Sequence, residues 1–266
     1  MSDVKQEKPV PSEAYTREYY ELSHGHDDFA RSHGDTVAER LRKPIELANL
    51  QPGMHILDVG CGRGEVLVQC ALRGARVHAI DYAASAMELS KEALADRSFR
   101  DEVSLNLGNA CRLPYATNSF DRVFMLDIVE HLHPPELHLT FAEVQRVLRP
   151  GGKLIVHTMP NTWYYRFGYP LYRLAQKLRG RALPANPRDR WGGTYQWVHV
   201  NEQNIISLQR ALRAAGFTPR VWLWSPETFQ DESNRLVRMV MRFLVEVYPF
   251  RLIFCNDIFA IVTKSE

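Results

Sequence analysis

The 266-residue sequence predicts a doubly wound α/β fold, a mostly parallel sheet with helices on both faces. Strand-like apolar runs alternate with helical patterns through residues 55–159, and the connections between them are short. The first run also breaks into alternating glycines, from which a helix starts at once. Such connections imply right-handed crossovers, and ligands of such sheets sit beyond the carboxyl ends of the strands.

Residues 1–11 are polar and read as frayed. Tyr15, Tyr19, Tyr20, His24, His26 and Phe29 then crowd one window, which either closes over a ligand as a lid or packs as a helix. Val37, Leu41, Ile45 and Ala48 recur at helical spacing, so a helix is expected from Val37 to Leu50, ended by Gln51-Pro52-Gly53. Residues 1–50 thus read as an N-terminal helical or lid segment, and residues 51–266 as the ligand-binding domain. That domain is expected to run strand His55–Val59, helix Glu65–Arg73, strand Val77–Asp81, helix Ala84–Arg97 with Ser85 as its cap, and strand Val103–Leu107. Strand Asp121–Leu126, helix Glu136–Leu148 and strand Lys153–Met159 follow, the last after Arg149-Pro150-Gly151-Gly152. After an insertion at 161–200 come helix Asn201–Ala215 with Asn201 as cap, strand Thr218–Leu223 and a final strand Ile253–Val262. Between these strands, Leu236, Val240, Phe243, Leu244 and Val247 share one helical face, read first as core or partner contact and second as membrane contact.

The chain is organised around Leu57-Asp58-Val59-Gly60-Cys61-Gly62-Arg63-Gly64. A strand turning through glycine into a helix leaves backbone N–H groups and a positive dipole end aimed at one spot, so a polar or anionic ligand end is expected there. The dinucleotide fingerprint needs glycine at its sixth place, where this sequence has Glu65, and that weighs against a nicotinamide dehydrogenase. The phrase instead resembles, residue for residue, the first motif of the class I S-adenosylmethionine (SAM) methyltransferases. The resemblance implies a Rossmann-like, seven-stranded sheet with an antiparallel last strand, and Asp58, Gly60, Cys61 and Gly62 around the methionine end of SAM. Cys61 needs only to be small there.

Asp81, followed by Tyr82 after strand two, offers a carboxylate that can accept from both ribose hydroxyls. After strand three, Asn109-Ala110 stands where the family is similar in reading adenine with an acid and a small residue; here an amide carbonyl takes the place of the acid. After strand four, Asp127-Ile128-Val129-Glu130-His131-Leu132 resembles the family's acid followed by Glu-His-Leu, near the methionine half of SAM and the acceptor. The resemblance spans about residues 56–156.

Methyl transfer is an in-line displacement that depends on positioning and dryness. An acceptor hydroxyl also needs a base, for which His131 is the first candidate and His199 the second. His157 on strand five is a third candidate, and any of them is otherwise a histidine bonded to the backbone. No metal is required, although Asp127, Glu130 and His131 resemble the magnesium ligands of some ubiquinone-pathway and RNA-end methyltransferases.

The insertion carries Trp163, Tyr164, Tyr165, Phe167, Tyr169, Tyr172, Trp191, Tyr195 and Trp197, and seven arginines and lysines against one aspartate. Concentrated positive charge favours an anionic acceptor, and Leu171, Leu174, Ala175 and Leu178 with Arg173, Lys177 and Arg179 form a basic amphipathic pattern over 167–178 that suits an anionic membrane, a phosphate-bearing molecule or a domain-capping helix with a solvated face. Ubiquinone-type methyltransferases are similar in carrying an insertion at this point, which implies a lipid-linked acceptor.

A net charge of +2 is too mild to argue for nucleic acid, and no apolar run approaches membrane-spanning length. Without a signal-peptide core, a cytoplasmic location is expected, with peripheral contact at the inner face of the membrane as the alternative. Four scattered cysteines fit reduced thiols. The sequence thus points to a SAM-dependent methyltransferase acting on oxygen of a small-molecule, glycosyl or lipid-linked acceptor; an inactive SAM-binding copy of the fold is the other reading.

Overall fold

The computed structural model describes residues 8–23, 25–191, 197–225 and 233–265. His24, Tyr195 and residues 1–7 of the expected frayed end lie outside them, as do the side chains of Arg190 and Trp191.

Seven strands form one sheet in the order β3-β2-β1-β4-β5-β7-β6. They are β1 His55–Val59, β2 Arg76–Asp81, β3 Val103–Leu107, β4 Phe120–Leu126, β5 Leu148–Thr158, β6 Arg220–Leu223 and β7 Ile258–Thr263. β1 to β5 run parallel, and β7 is antiparallel to both β5 and β6. The predicted sheet, with its antiparallel last strand, is therefore the observed one. Sequence order reverses at β1, which has β2 on one side and β4 on the other, so the ligand crevice is expected above β1 and β4.

The helices are α1 Arg17–Leu22, α2 His26–Ser32, α3 Glu39–Ala48, α4 Glu65–Ala71, α5 Ala84–Leu94, α6 Pro134–Val147, α7 Tyr169–Leu178, α8 Ile205–Ala214, α9 Arg235–Glu246 and α10 Arg251–Phe254. Alternation along the strands divides the core. Ile56 joins a cluster with Leu41, Ile45 and Leu67, whereas Leu57 and Val59 join one with Phe141, Val144 and Leu208 on the other face. Val10, Tyr15, Tyr19 and Phe29 belong to the first cluster, so the N-terminal helices pack on the sheet itself.

Caps depart from expectation. Asn204, not Asn201, starts α8, its Oδ1 accepting from the N–H groups of Ile206 and Ser207 at 3.0 Å each. Ser85 does not cap α5, because its hydroxyl donates to the Tyr15 carbonyl. The last strand starts at Ile258, five residues late, because Arg251–Phe254 closes as a helical turn. β6 and β7 pair, but α9 and α10 stand between them in sequence. On α9 only Met241 and Val245 are buried, so the predicted core face of Leu236, Val240, Phe243 and Val247 is exposed.

Candidate active site

One cavity of about 260 Å³ opens at the carboxyl ends of the strands. Asp58, Gly60, Cys61, Gly62, Asp81, Tyr82, Asn109, Ala110, Asp127, Glu130, His131 and His199, all singled out in the sequence, line it. Tyr15, Tyr19 and Tyr20 from the N-terminal segment form another wall. That segment is tied across the cavity: the Tyr82 hydroxyl donates to the Val10 carbonyl at 3.1 Å, and the Arg63 guanidinium donates to the Tyr20 carbonyl at 2.8 Å.

The glycine turn is built for close approach. Gly60, Gly62 and Gly64 all have positive φ, and a Cβ on Gly60 would lie 2.7 Å from Ile128 Cδ1. Gly60→Ala is therefore expected to cost about 1–3 kcal/mol of stability through backbone strain, read as a lowered urea midpoint, and to weaken SAM binding. A midpoint equal to wild type removes the close-packing argument.

The turn's amides are not free, contrary to the sequence expectation. Gly60 and Cys61 N–H both donate to the Ile80 carbonyl, Gly62 N–H to the Asp81 carboxylate at 3.0 Å, and Gly64 N–H to the Cys61 carbonyl. The loop folds back on the end of β2 and uses its own donors there. What faces the cavity instead is carboxylate: Asp58, Glu65 and Asp81. Burial, and then Asp81, pushes the Asp58 carboxyl up to about 8. Its Oδ2 is a buried acceptor with no hydrogen-bond partner among the described residues. Glu65 is paired with Arg63 at 2.7 Å, so the unmatched Asp58 is the group left for a ligand, and a cationic end brought to it would favour its charged form.

Asp81 accepts from Gly62 N–H through Oδ2 and from Ala83 N–H through Oδ1, both at 3.0 Å. Each oxygen keeps lone-pair capacity toward the cavity. Asn109 Oδ1 accepts the Cys111 N–H at 2.8 Å, which occupies part of the acceptor expected to face adenine.

On the cavity wall, Asp127 sits at φ +57 with Oδ1 2.5 Å from His157 Nδ1, which lies behind it, and Oδ2 3.2 Å from Arg40 Nη2. His157 Nε2 lies 3.2 Å from Asp257 Oδ1, and the Ser225 hydroxyl donates to Asp257 Oδ2 at 2.8 Å. Both ring nitrogens of the fully buried His157 are thus engaged, and it does not line the cavity. Burial opposes its charge, yet Asp127 and Asp257 outweigh burial and hold His157 up at about 9. Burial would raise Asp127, but Arg40 and His157 hold it low. His157, raised above its unfolded value near 6.5, contributes stability fully below that pH and loses it as pH rises through about 9. His157's share of stability, about 3 kcal/mol, is expected to be lost from about pH 6.5 to 9.5, along with what Asp58 and Glu130 lose as pH rises through about 8, and His157→Gln to lessen the slope, measured by urea unfolding at several pH values.

Glu130 is buried and accepts from the Thr158 hydroxyl at 2.7 Å; burial, and then Asp127, pushes it up to about 8. His131 Nδ1 lies 3.2 Å from the Val198 carbonyl and 3.1 Å from the Tyr15 hydroxyl. A carbonyl can only accept, so in the tautomer that serves Val198 the proton is on Nδ1, the Tyr15 hydroxyl accepts too, and Nε2 keeps its lone pair. Burial pulls His131 down to about 4, and burial together with His131 pulls His199 down to about 3. Their rings meet edge to face at 4.8 Å.

The metal set suggested by the sequence is rearranged. Asp127 is taken by Arg40 and His157, whereas Glu130, His131 and His199 each bring one ligand atom within 4.8 Å of the others. Sequence reasoning did not find Arg40, which lines the cavity and pairs with Asp127, or Asp257, which acts on it through His157; a charged residue beside the apolar positions of α3 is the signal for Arg40.

The sequence profile of the methyltransferase domain family matches residues 57–156. The chain is 30% identical over 171 residues to demethylmenaquinone methyltransferase of Symbiobacterium thermophilum, covering 62% of this chain and 67% of that one. It is 30% identical over 124 residues to O-methyltransferase resE of Aspergillus sclerotiorum, 46% of each chain, and so spans less than half of that relative. Among solved structures, phosphoethanolamine N-methyltransferase 2 of Haemonchus contortus in complex with S-adenosyl-L-methionine superposes with a TM-score of 0.62 at 18% identity, covering 99% of this chain and 59% of that one, a likeness of fold. With a glycine turn closed on itself, an acidic cavity floor and a relative at this identity over two thirds of its length, the chain belongs to the class I SAM-dependent methyltransferases.

Proposed function

We propose that the chain methylates an oxygen of a small acceptor that is anionic or lipid-linked. SAM supplies the methyl on a sulfonium; the acceptor oxygen takes it, its proton leaves to a base, and S-adenosylhomocysteine is released. The observation that carries the reading is His131 in the wall of the cavity, a neutral imidazole at neutral pH whose Nε2 is left to accept a proton when Nδ1–H serves the Val198 carbonyl. A neutral imidazole can take the hydroxyl's proton, although burial makes it a weaker base than an ordinary histidine.

Asp58, with its unmatched Oδ2, takes the ligand's ammonium beside Gly60, Cys61 and Gly62. Asp81 accepts from the ribose hydroxyls with Tyr82 beside it, Asn109 and Ala110 border the adenine, and Asp127 supports the methionine side. Tyr165 and Arg188, stacked at 4.9 Å, line the acceptor side and bring aromatic surface and a guanidinium held in place by Glu202. The relative named for demethylmenaquinone supports a lipid-linked acceptor, and the one named as an O-methyltransferase supports oxygen. Incubation with methyl-labelled SAM and a lipid extract tests this: label recovered as a base-stable ether supports the reading, and label on nitrogen or carbon overturns it.

A second reading is favoured by the cluster of Glu130, His131 and His199. These residues fit a divalent cation, two neutral imidazoles and a carboxylate being ordinary donors for one, and the ion would lower the pKa of an acceptor hydroxyl. EDTA separates the two: full turnover in its presence leaves His131 as base, and loss of turnover restored by magnesium assigns the cluster to the ion.

A further inference from the structure

Two helices outside the site leave apolar stripes in solvent. On α7 and the turn before it, Phe167, Leu171, Leu174 and Leu178 follow one another at i, i+4, i+7 and i+11, with Leu174 55% and Leu178 81% exposed. On α9 and just beyond, Leu236, Met239, Val240, Phe243 and Val247 do the same, with Leu236 65% and Met239 62% exposed. Each stripe is distinct from its helix's packing face, which is Tyr169 and Gln176 on α7 and Met241 and Val245 on α9. The Phe250 ring continues the second stripe, 5.7 Å from that of Phe243. The helices belong to one region: α10 packs on both α9 and residues 164–168, where Gly168 lies so close to the Ile253 carbonyl that a Cβ could not be placed.

Charge identifies what covers this region. Residues 161–187 contain no Asp or Glu but carry Arg166, Arg173, Lys177, Arg179 and Arg181. α9 and α10 add Arg235, Arg238, Arg242 and Arg251 against Glu246 alone. A second copy of the chain would bring like charge to like. An apolar stripe flanked by arginine and lysine matches an anionic leaflet, where aliphatic and aromatic groups enter the acyl boundary and the cations meet phosphates. No described helix is long and apolar enough to cross a membrane.

We infer that α7 and α9 together form a surface that seats the protein on an anionic lipid leaflet. The inference goes beyond the chemistry of the site, although residue 165, on the cavity wall, immediately precedes this surface. A docked α7 therefore holds the acceptor side of the cavity near the leaflet.

Co-sedimentation of the full chain with vesicles tests it, using phosphatidylcholine alone and phosphatidylcholine with about one third phosphatidylglycerol. Binding is expected to be at least about tenfold stronger to the anionic vesicles and to weaken with salt. It is expected to fall about tenfold in Leu174→Glu/Leu178→Glu and in Met239→Glu/Phe243→Glu, all exposed positions, with unchanged urea midpoints and SAM affinity. Arg235→Gln with Lys177→Gln is expected to remove the preference for anionic vesicles and needs no apolar change. Equal binding to both vesicles overturns the inference, as does binding untouched by the glutamate variants, or a solution dimer that those variants dissociate. The vesicles hold no acceptor, so failure here leaves the proposed methyl transfer standing, and an acceptor of another class leaves vesicle binding standing.

Discussion

Asp81→Ala is expected to weaken SAM binding by about 10²–10⁴ while the chain stays folded, measured by calorimetry. The carboxylate stands at the end of β2, at the cavity, with each oxygen already holding one backbone N–H. Two hydroxyls donating to the remaining lone pairs of a charged acceptor are worth about 1.5–3 kcal/mol each, because the low-dielectric wall leaves water a poor substitute. The same substitution also frees Gly62 N–H and Ala83 N–H, so part of the loss passes through the glycine turn. Asp81→Asn separates the parts: it keeps one acceptor for the backbone, and it should recover stability more than affinity. If Asp81→Ala binds SAM within threefold of wild type, the ribose assignment falls.

The fold was legible in the sequence because its parallel strands are local runs separated by local helices, each marked by its own period. The misplacements came where tertiary contacts decide. Ser85 looks like a cap, but the N-terminal segment arrives from seventy residues away and takes its hydroxyl. Glycines at 60, 62 and 64 suggested free amides, yet the carbonyl of Ile80 on the neighbouring strand and the Asp81 carboxylate satisfy three of the turn's donors. The apolar face of α9 was visible as a period, but a period does not say whether a face meets core or solvent. In the site, residues that follow strand ends were readable one by one. The partnership of His131 with His199, and of Asp127 with His157 and Arg40, joins elements far apart in sequence and has no local signature.

His131→Ala is expected to lower kcat by about 10²–10⁴, the usual worth of a positioned base, with SAM affinity within threefold of wild type. The imidazole is buried enough that its pKa is drawn to about 4, so it stays neutral throughout the neutral range and kcat should show no acid limb above about pH 5. Loss of turnover alone does not separate a base from a ligand, since His131 also belongs to the cluster with Glu130 and His199. His199→Ala does. If His131 acts alone as base, its neighbour contributes ring packing at 4.8 Å and its removal costs kcat less than about tenfold. If the cluster holds a cation, both histidines are ligands, both substitutions cost turnover alike, and excess magnesium restores His199→Ala in part because Glu130 and His131 remain. An unchanged kcat in His131→Ala removes both readings together, and transfer would then rest on positioning within the cavity, for an acceptor that needs no deprotonation.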